Sequence, residues 1–227
     1  MTTSTFTTAD SANLNIVLQG DCVQIMRGIK SESVDFVLTD PPYINRYKDR
    51  DGRVIRSDNF VWVKPAFAEL YRVLKRNSFC AFFYGWAHIH KIAAAFTEAG
   101  FRPIGHLMFP KPYTSGVRFL RYQHECAYLL AKGEPQEPEH PIADVIQWTH
   151  YTGNKLHPSQ KPLNVLLPLI KAFCPSAGVV LDPFAGSGSS LVAARQLGRQ
   201  FIGIELDAQH HATATARLQE AQQAMAA

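Results

Sequence analysis

The sequence predicts an α/β protein built on one doubly wound, mostly parallel sheet with helices on both faces. Three observations carry this. The runs "VDFVLT" and "VVL", with "FIGIEL" as a third candidate, are mainly apolar and rich in Val, Ile and Phe, the composition of strands covered on both sides. Amphipathic helical stretches lie between such runs, and that alternation means a parallel sheet. Two of those stretches stop at a glycine, Gly100 and Gly198, where a left-handed residue ends a helix.

The elements follow in order. Residues 1–13 are polar and Ser/Thr-rich and are expected to be a flexible N-terminus. "LNIVLQGD", 14 to 21, alternates well enough for an edge strand. Val34 to Thr39 is a buried strand that stops at "DPPY". Residues 60 to 76 place Phe67, Leu70, Tyr71 and Leu74 at helical spacing, and 87 to 100 form a second helix. "FCAFFYG", 79 to 85, and "CAYLLAK", 126 to 132, read as strands. Residues 111 to 125 and 132 to 158 are turn-rich and irregular, with a loop at "EPQEPEHP". Helix 161 to 174, strand 179 to 181, helix 189 to 198, strand 201 to 206 and a last helix that frays complete the chain. One domain, 14 to 227, is expected.

Composition sets limits. With 227 residues, 46% apolar and 19% charged, the chain can bury a full core. No apolar run approaches the roughly 18 residues that span a bilayer, and the N-terminus lacks the basic start and apolar centre of a signal peptide. A cytoplasmic protein is expected. Cys22, Cys80, Cys126 and Cys174 are scattered without metal spacing, and the nine histidines are also dispersed, so no metal site is read. The net charge is +4, but residues 44 to 132 hold fifteen Lys/Arg against six Asp/Glu. The rest of the chain is net acidic. This asymmetry suggests a polyanionic partner for the middle of the chain; a merely solvated basic surface is the plainer alternative.

"VVLDPFAGSGSSLVAARQLGRQFIGIELD" reads strand, glycine loop, helix, strand, acid. Gly186 and Gly188 let the backbone approach a ligand where the loop becomes a helix. Glu205 lies nineteen residues after Gly186, where a carboxylate can accept both hydroxyls of a ribose. A dinucleotide loop would carry a third glycine, but Leu191 stands there, and no Lys-Ser/Thr follows as a Walker loop needs. What remains is a nucleoside without a pyrophosphate, for which S-adenosylmethionine fits, or a tight turn with no ligand.

"DPPY" (Asp40, Pro41, Pro42, Tyr43) followed late by "DPFAGSGS" (182 to 189) resembles the amino-methylating DNA methyltransferases, and the catalytic-first order resembles their circularly permuted β group. "LQGDCVQIMRGIKSESVDFVLTDPPY", "FAELYRVLKRNSFCAFF" and "HPSQKPLNVLLPLI" are similar to further family segments, so the resemblance covers about 14 to 217. It implies a Rossmann-like methyltransferase fold and S-adenosylmethionine as methyl donor, with no metal. It implies site-specific methylation of a flipped adenine N6 in double-stranded DNA, with cytosine N4 as the alternative. A catalytically silent DNA-binding module on the same fold, or an RNA or protein methylase, are the other readings. Asp40 with Pro41, Pro42 and Tyr43 would be catalytic. Asp182, Phe184, Ala185, Gly186, Ser187 and Gly188 would form the cofactor loop. Glu205 and Leu206 would meet the ribose, Asp21 and Cys22 the adenine of the cofactor, and Ser159, Gln160 and Lys161 its methionine end.

The residue types suit that chemistry. An exocyclic amine has its lone pair delocalised into the ring. Asp40 can accept one N–H and the Pro41 carbonyl the other, which localises the lone pair. Prolines hold that carbonyl on a stiff backbone, and Tyr43 offers a face to an extruded base. Asp at the first motif position is typical of adenine enzymes, whereas many cytosine-N4 enzymes carry Ser. A target-recognition region is expected at about 111 to 156, with Lys111, Arg118, Arg121, Tyr122, Gln123 and His124 as contacts. The loop with Arg46, Lys48, Arg50, Arg53 and Arg56 would close over DNA. That region is short, which implies a short target or a homodimer sharing the work. A bacterial, phage or plasmid-type protein is implied.

Overall fold

The computed structural model describes residues 14–43, 60–149 and 160–226. A seven-stranded sheet organises them. Its strands are β1 (Ile16–Gln19), β2 (Val34–Thr39), β3 (Leu74–Tyr84), β4 (Arg102–Pro110), β5 (His124–Lys132), β6 (Val179–Asp182) and β7 (Gln200–Glu205). Their order is β1-β7-β6-β2-β3-β5-β4. All neighbours pair parallel except β5, which runs antiparallel to both β3 and β4. The expected mostly parallel, doubly wound sheet is present.

Helices α1 (Cys22–Arg27), α2 (Val63–Val73) and α3 (Ile89–Ala99) cover one face, and α4 (Leu163–Phe173), α5 (Ser189–Gln196) and α6 (Ala208–Ala226) the other. Each face has its own core. Under α2 and α3, Phe67 packs against Phe82, Phe96 and Phe101 at centroid distances of 4.6 to 6.2 Å. Under α4, Phe173 meets Phe36 and Phe79. Strand β2 feeds both: Phe36 and Leu38 point to the second core and Val37 to the first. Each fully buried ring contributes about 2 to 3 kcal/mol against an exposed reference.

The elements depart from expectation at three places. β4 was not expected as a strand; it carries Pro103, Gly105 and Pro110, and sheet interiors exclude proline. It is the outermost of the seven strands, the position in which a sheet tolerates proline. The helix expected to run to residue 76 stops at Val73, and Leu74 turns directly into strand (φ −67°, ψ 135°), so no turn residue marks the change. The six-residue α1 is too short to register as a periodicity. In the expected recognition region, 111–123 folds as a hairpin-like arm, with Lys111 N donating to Gln123 O and Ser115 N to Tyr122 O. Residues 144–148 run along β4, bonded to Met108 and Pro110, and bury Trp148.

Candidate active site

The strand order reverses between β6 and β2, and ligands of such sheets bind beyond the strand ends at that switch point. Here the glycine loop leaves β6 and the DPPY turn leaves β2. Thr39 Oγ donates to Asp182 Oδ1 at 2.8 Å. Asp182 also accepts from the Phe184 N–H at 3.1 Å and from the Ser190 hydroxyl. Burial pushes its carboxyl up to about 6, against the pull of those three donors. Asp182 therefore braces the loop and ties the two strand ends together.

Gly186 (φ 52°) and Gly188 (φ 77°) take the left-handed conformation that glycine permits, and Gly188 caps α5. The close helix–strand contact usually made possible by a third loop glycine is supplied from the other side. Leu191 stays on the helix, and Gly203 of β7 leaves room for it; a Cβ at 203 would collide with Leu191 Cδ1. Glu205 ends β7, with one carboxylate oxygen accepting from Gly186 N–H and the other from Asp207 N–H, both at 2.8 Å. Gly20 N–H bonds to Glu205 O at 2.9 Å, which brings Asp21 and Cys22 beside the same carboxylate. Asp21 caps α1 through Gln24 N–H. Burial first, then the charges of Asp21 and Glu205, push the Cys22 thiol up to about 12. Leu206 is exposed at the strand end.

Two residues that sequence reasoning missed support this loop. Trp62 packs edge-on against Phe184 at 4.9 Å. Arg217 of α6 donates to the carbonyl of Ser187 at 2.6 Å and to the hydroxyls of Ser187 and Ser189.

The DPPY turn meets an unforeseen cluster of charge. Lys161, 5% exposed at its side chain, lies between Asp40 Oδ2 and Glu125 Oε2, the latter at 3.0 Å. Glu125 in turn meets Lys111 at 3.4 Å and the Tyr43 hydroxyl at 3.4 Å. Asp40 Oδ1 is buried and has no hydrogen-bond partner among the described residues. Burial raises the Asp40 carboxyl, Lys161 opposes it, and Glu125 adds to it. Burial would also raise Glu125, but Lys161 and Lys111 outweigh it and hold that carboxyl low. Lys161 stays protonated: burial works against its charge, but the two carboxylates prevail. The Tyr43 phenol is held neutral, chiefly by burial. Its ring lies on Gly85, where a Cβ would come within 3.2 Å of it, and 5.7 Å from the Lys161 ammonium. Pro41 is buried and Pro42 half-buried beneath the turn.

The structure thus gathers Asp40, Gln160, Lys161, Asp182, Phe184, Ala185, Gly186 and Ser187 around one cleft. Lys111, expected to face DNA, is 8% exposed and donates to Ser115 and Glu125. Arg118, Arg121, Gln123 and His124 are exposed and Tyr122 half-buried, with Tyr122 stacked on Trp86 at 6.3 Å. Arg46, Lys48, Arg50, Arg53, Arg56, Ser159 and residues 1–13 lie outside the described residues. Among the described residues no group of three or more His, Cys, Asp or Glu could hold a metal ion, and no helix is long and apolar enough to cross a membrane.

Sheet order, glycine loop and strand-end acid define a Rossmann-like, nucleoside-cofactor enzyme of the methyltransferase class. Residues 34–216 match the family model for N6/N4 DNA methylases. YubD of Escherichia coli (strain K12), named as a methylase, is 49% identical over 209 residues, covering 92% of each chain. The type II methyltransferase M.HinfI of Haemophilus influenzae is 27% identical, over 91% of this chain and 69% of its own. The crystal structure of the M1.HpyAVI–SAM complex superposes with a TM-score of 0.72 at 24% identity, over 89% of this chain and 98% of that one. The cytosine-N4-specific PvuII DNA methyltransferase gives 0.74 at 15%, over 91% and 89%. The chain belongs to the N6/N4 DNA methylase family. Its cofactor is S-adenosylmethionine. Beside the cleft, the paired left-handed glycines open the backbone, and the Glu205 carboxylate lies at the strand end, bonded to Gly186 N–H.

Proposed function

We propose that this DNA methylase acts on the N6 amine of adenine extruded from duplex DNA. The observation that carries the reading is Asp40: one oxygen fixed by Lys161, the other buried and unpartnered at the mouth of the cofactor cleft. An unpartnered buried acceptor is costly to keep, and an amine N–H would satisfy it. Asp40 Oδ1 accepts one N–H and the Pro41 carbonyl the other, which draws the nitrogen lone pair out of the ring. S-adenosylmethionine supplies an electrophilic methyl, which the amine nitrogen takes as its bond to sulfur breaks. The nitrogen then sheds a proton, and Asp40 Oδ1 is placed to receive it. Burial makes that carboxylate a stronger base than a solvated one, while Lys161 pulls the other way.

The same reading gives Glu205 the ribose, Asp21 and Cys22 the cofactor's adenine, and Tyr43 the face of the target base. An Asp in the first position of the motif, where many cytosine-N4 enzymes carry Ser, favours adenine. The fold does not choose, since a cytosine-N4 enzyme shares it. The test is methylation of duplex DNA followed by nucleoside mass spectrometry. N6-methyldeoxyadenosine is expected, and Asp40→Ala should lose it while binding S-adenosylmethionine in calorimetry. N4-methyldeoxycytidine as the sole product would overturn the adenine assignment.

A further inference from the structure

The 111–123 arm ends in an apolar tip that its own fold leaves uncovered. Val117 pairs with Arg121 in an isolated antiparallel bridge, and Arg118 N–H bonds to Leu120 O. Phe119 stands at the apex and is 98% exposed; Val117 and Leu120 beside it are each 68% exposed. Arg118 and Arg121 flank them, also exposed. A fully exposed phenylalanine gains nothing from folding, since the hydrophobic effect rewards only burial. It gains when something covers it.

The place of the arm says what covers it. Its base is pinned to the catalytic cluster: Lys111 donates to Ser115 and Glu125, and Glu125 meets the Lys161 that holds Asp40. Tyr122 leans on Trp86, next to the Gly85 that carries the Tyr43 ring. An enzyme that methylates a base amine must extrude the base, which leaves a hole in the stack. Apolar side chains bracketed by cations are what enters a base step from a protein: the ring replaces lost stacking while the cations meet the phosphates. Two arginines beside the ring would repel a second copy of the same tip.

We propose that Phe119, with Leu120 and Val117, is a wedge that enters the DNA base stack and holds it open while the target base occupies the Asp40 site. This rests on DNA as the substrate of the chain.

The test uses the full-length protein and a duplex oligonucleotide carrying the motif found by methylation-sensitive sequencing, with the target base either paired or opposite an abasic site. Phe119→Ala should slow methylation of the paired duplex by roughly 10- to 100-fold, the order expected when unstacking loses its support. It should slow methylation of the abasic duplex, where extrusion is already easy, by less than about 3-fold. Phe119→Trp should restore most of the paired rate. With 2-aminopurine at the target, the fluorescence rise on binding should be lost in Phe119→Ala. Equal slowing on both duplexes, or none on either, would sink the wedge. So would a sedimenting dimer that Phe119→Ala splits into monomers, since the tip would then be a protein contact. Absence of turnover by the parent protein on any DNA would refute the substrate reading instead.

Discussion

Lys161→Met would leave two buried carboxylates without the ammonium between them. At the 3.0 Å separation from Glu125 and an effective dielectric near 20, one such attraction is about 5 kcal/mol, and Asp40 adds a second contact on the same nitrogen. Desolvation of the ammonium offsets much of this. Removing one partner of a buried ion pair nonetheless costs about 3–5 kcal/mol, because the remaining charge is stranded. Glu125 keeps Lys111 at 3.4 Å, so the stranded group is Asp40. Its carboxyl, already raised by burial, rises further once Lys161 no longer opposes it. The parent's Asp40 is itself raised, so the deficit grows only as pH climbs from the parent's folded value through the still higher one of the variant, where the variant's folded state keeps a proton that the unfolded state releases. Urea unfolding at pH 5 and pH 8 reads this: a loss of about 3–5 kcal/mol at pH 8, smaller at pH 5. Adding Glu125→Gln should recover about 1 kcal/mol or more by removing the neighbouring negative charge. The acidic limb of methyl transfer should move to higher pH, since in the proposed mechanism Asp40 accepts the amine as a carboxylate. A deficit below about 1 kcal/mol at pH 8, or one that does not grow with pH, would refute the reasoning.

Two further outcomes follow from the cofactor loop. Asp182 titrates near 6 in the fold against 3.8 as a free group, so its ionisation opposes folding by about 3 kcal/mol at neutral pH. That opposition sets in as pH rises from about 4 to 6, and Asp182→Asn should abolish this part of the pH dependence of the urea midpoint. An unchanged profile would show that the carboxyl is not raised. Gly203→Ala should lose about 1–3 kcal/mol by overpacking against Leu191, and Leu191→Ala in the same chain should relieve part of it. A Gly203→Ala protein as stable as the parent would mean that α5 moves away freely.

Strands β2, β6 and β7 were legible because burial on both faces demands continuous apolar runs, and the cofactor loop because its glycines need special backbone. Strand β4 was not, since an edge position tolerates the two prolines that elsewhere forbid a strand. The end of α2 was missed because Leu74 passes from helix to strand without a turn residue. Glu125 stands 85 residues after Asp40 and 36 before Lys161, so no local pattern could join the three. Its one trace is an acid near the start of a strand with an apolar centre, "HECAYLLAK". Lys111 looked like a surface cation because position along the chain says nothing of burial; four atoms of stem let it reach inward to Glu125. Arg217 and Trp62 act on the loop from helices far from it in sequence, so their role depends on packing alone.

The bond from the Thr39 hydroxyl to Asp182 joins residues 143 positions apart. In the proposed mechanism, one side of it is the shelf for the methyl donor and the other the turn that receives the amine. The strands bearing them are neighbours in register, Phe36 beside Val180 and Val37 beside Leu181. Donor and acceptor platforms therefore belong to one rigid body, and the span across which the methyl must travel is fixed before any nucleic acid arrives. DNA has to deliver a base to a gauge already cut to length.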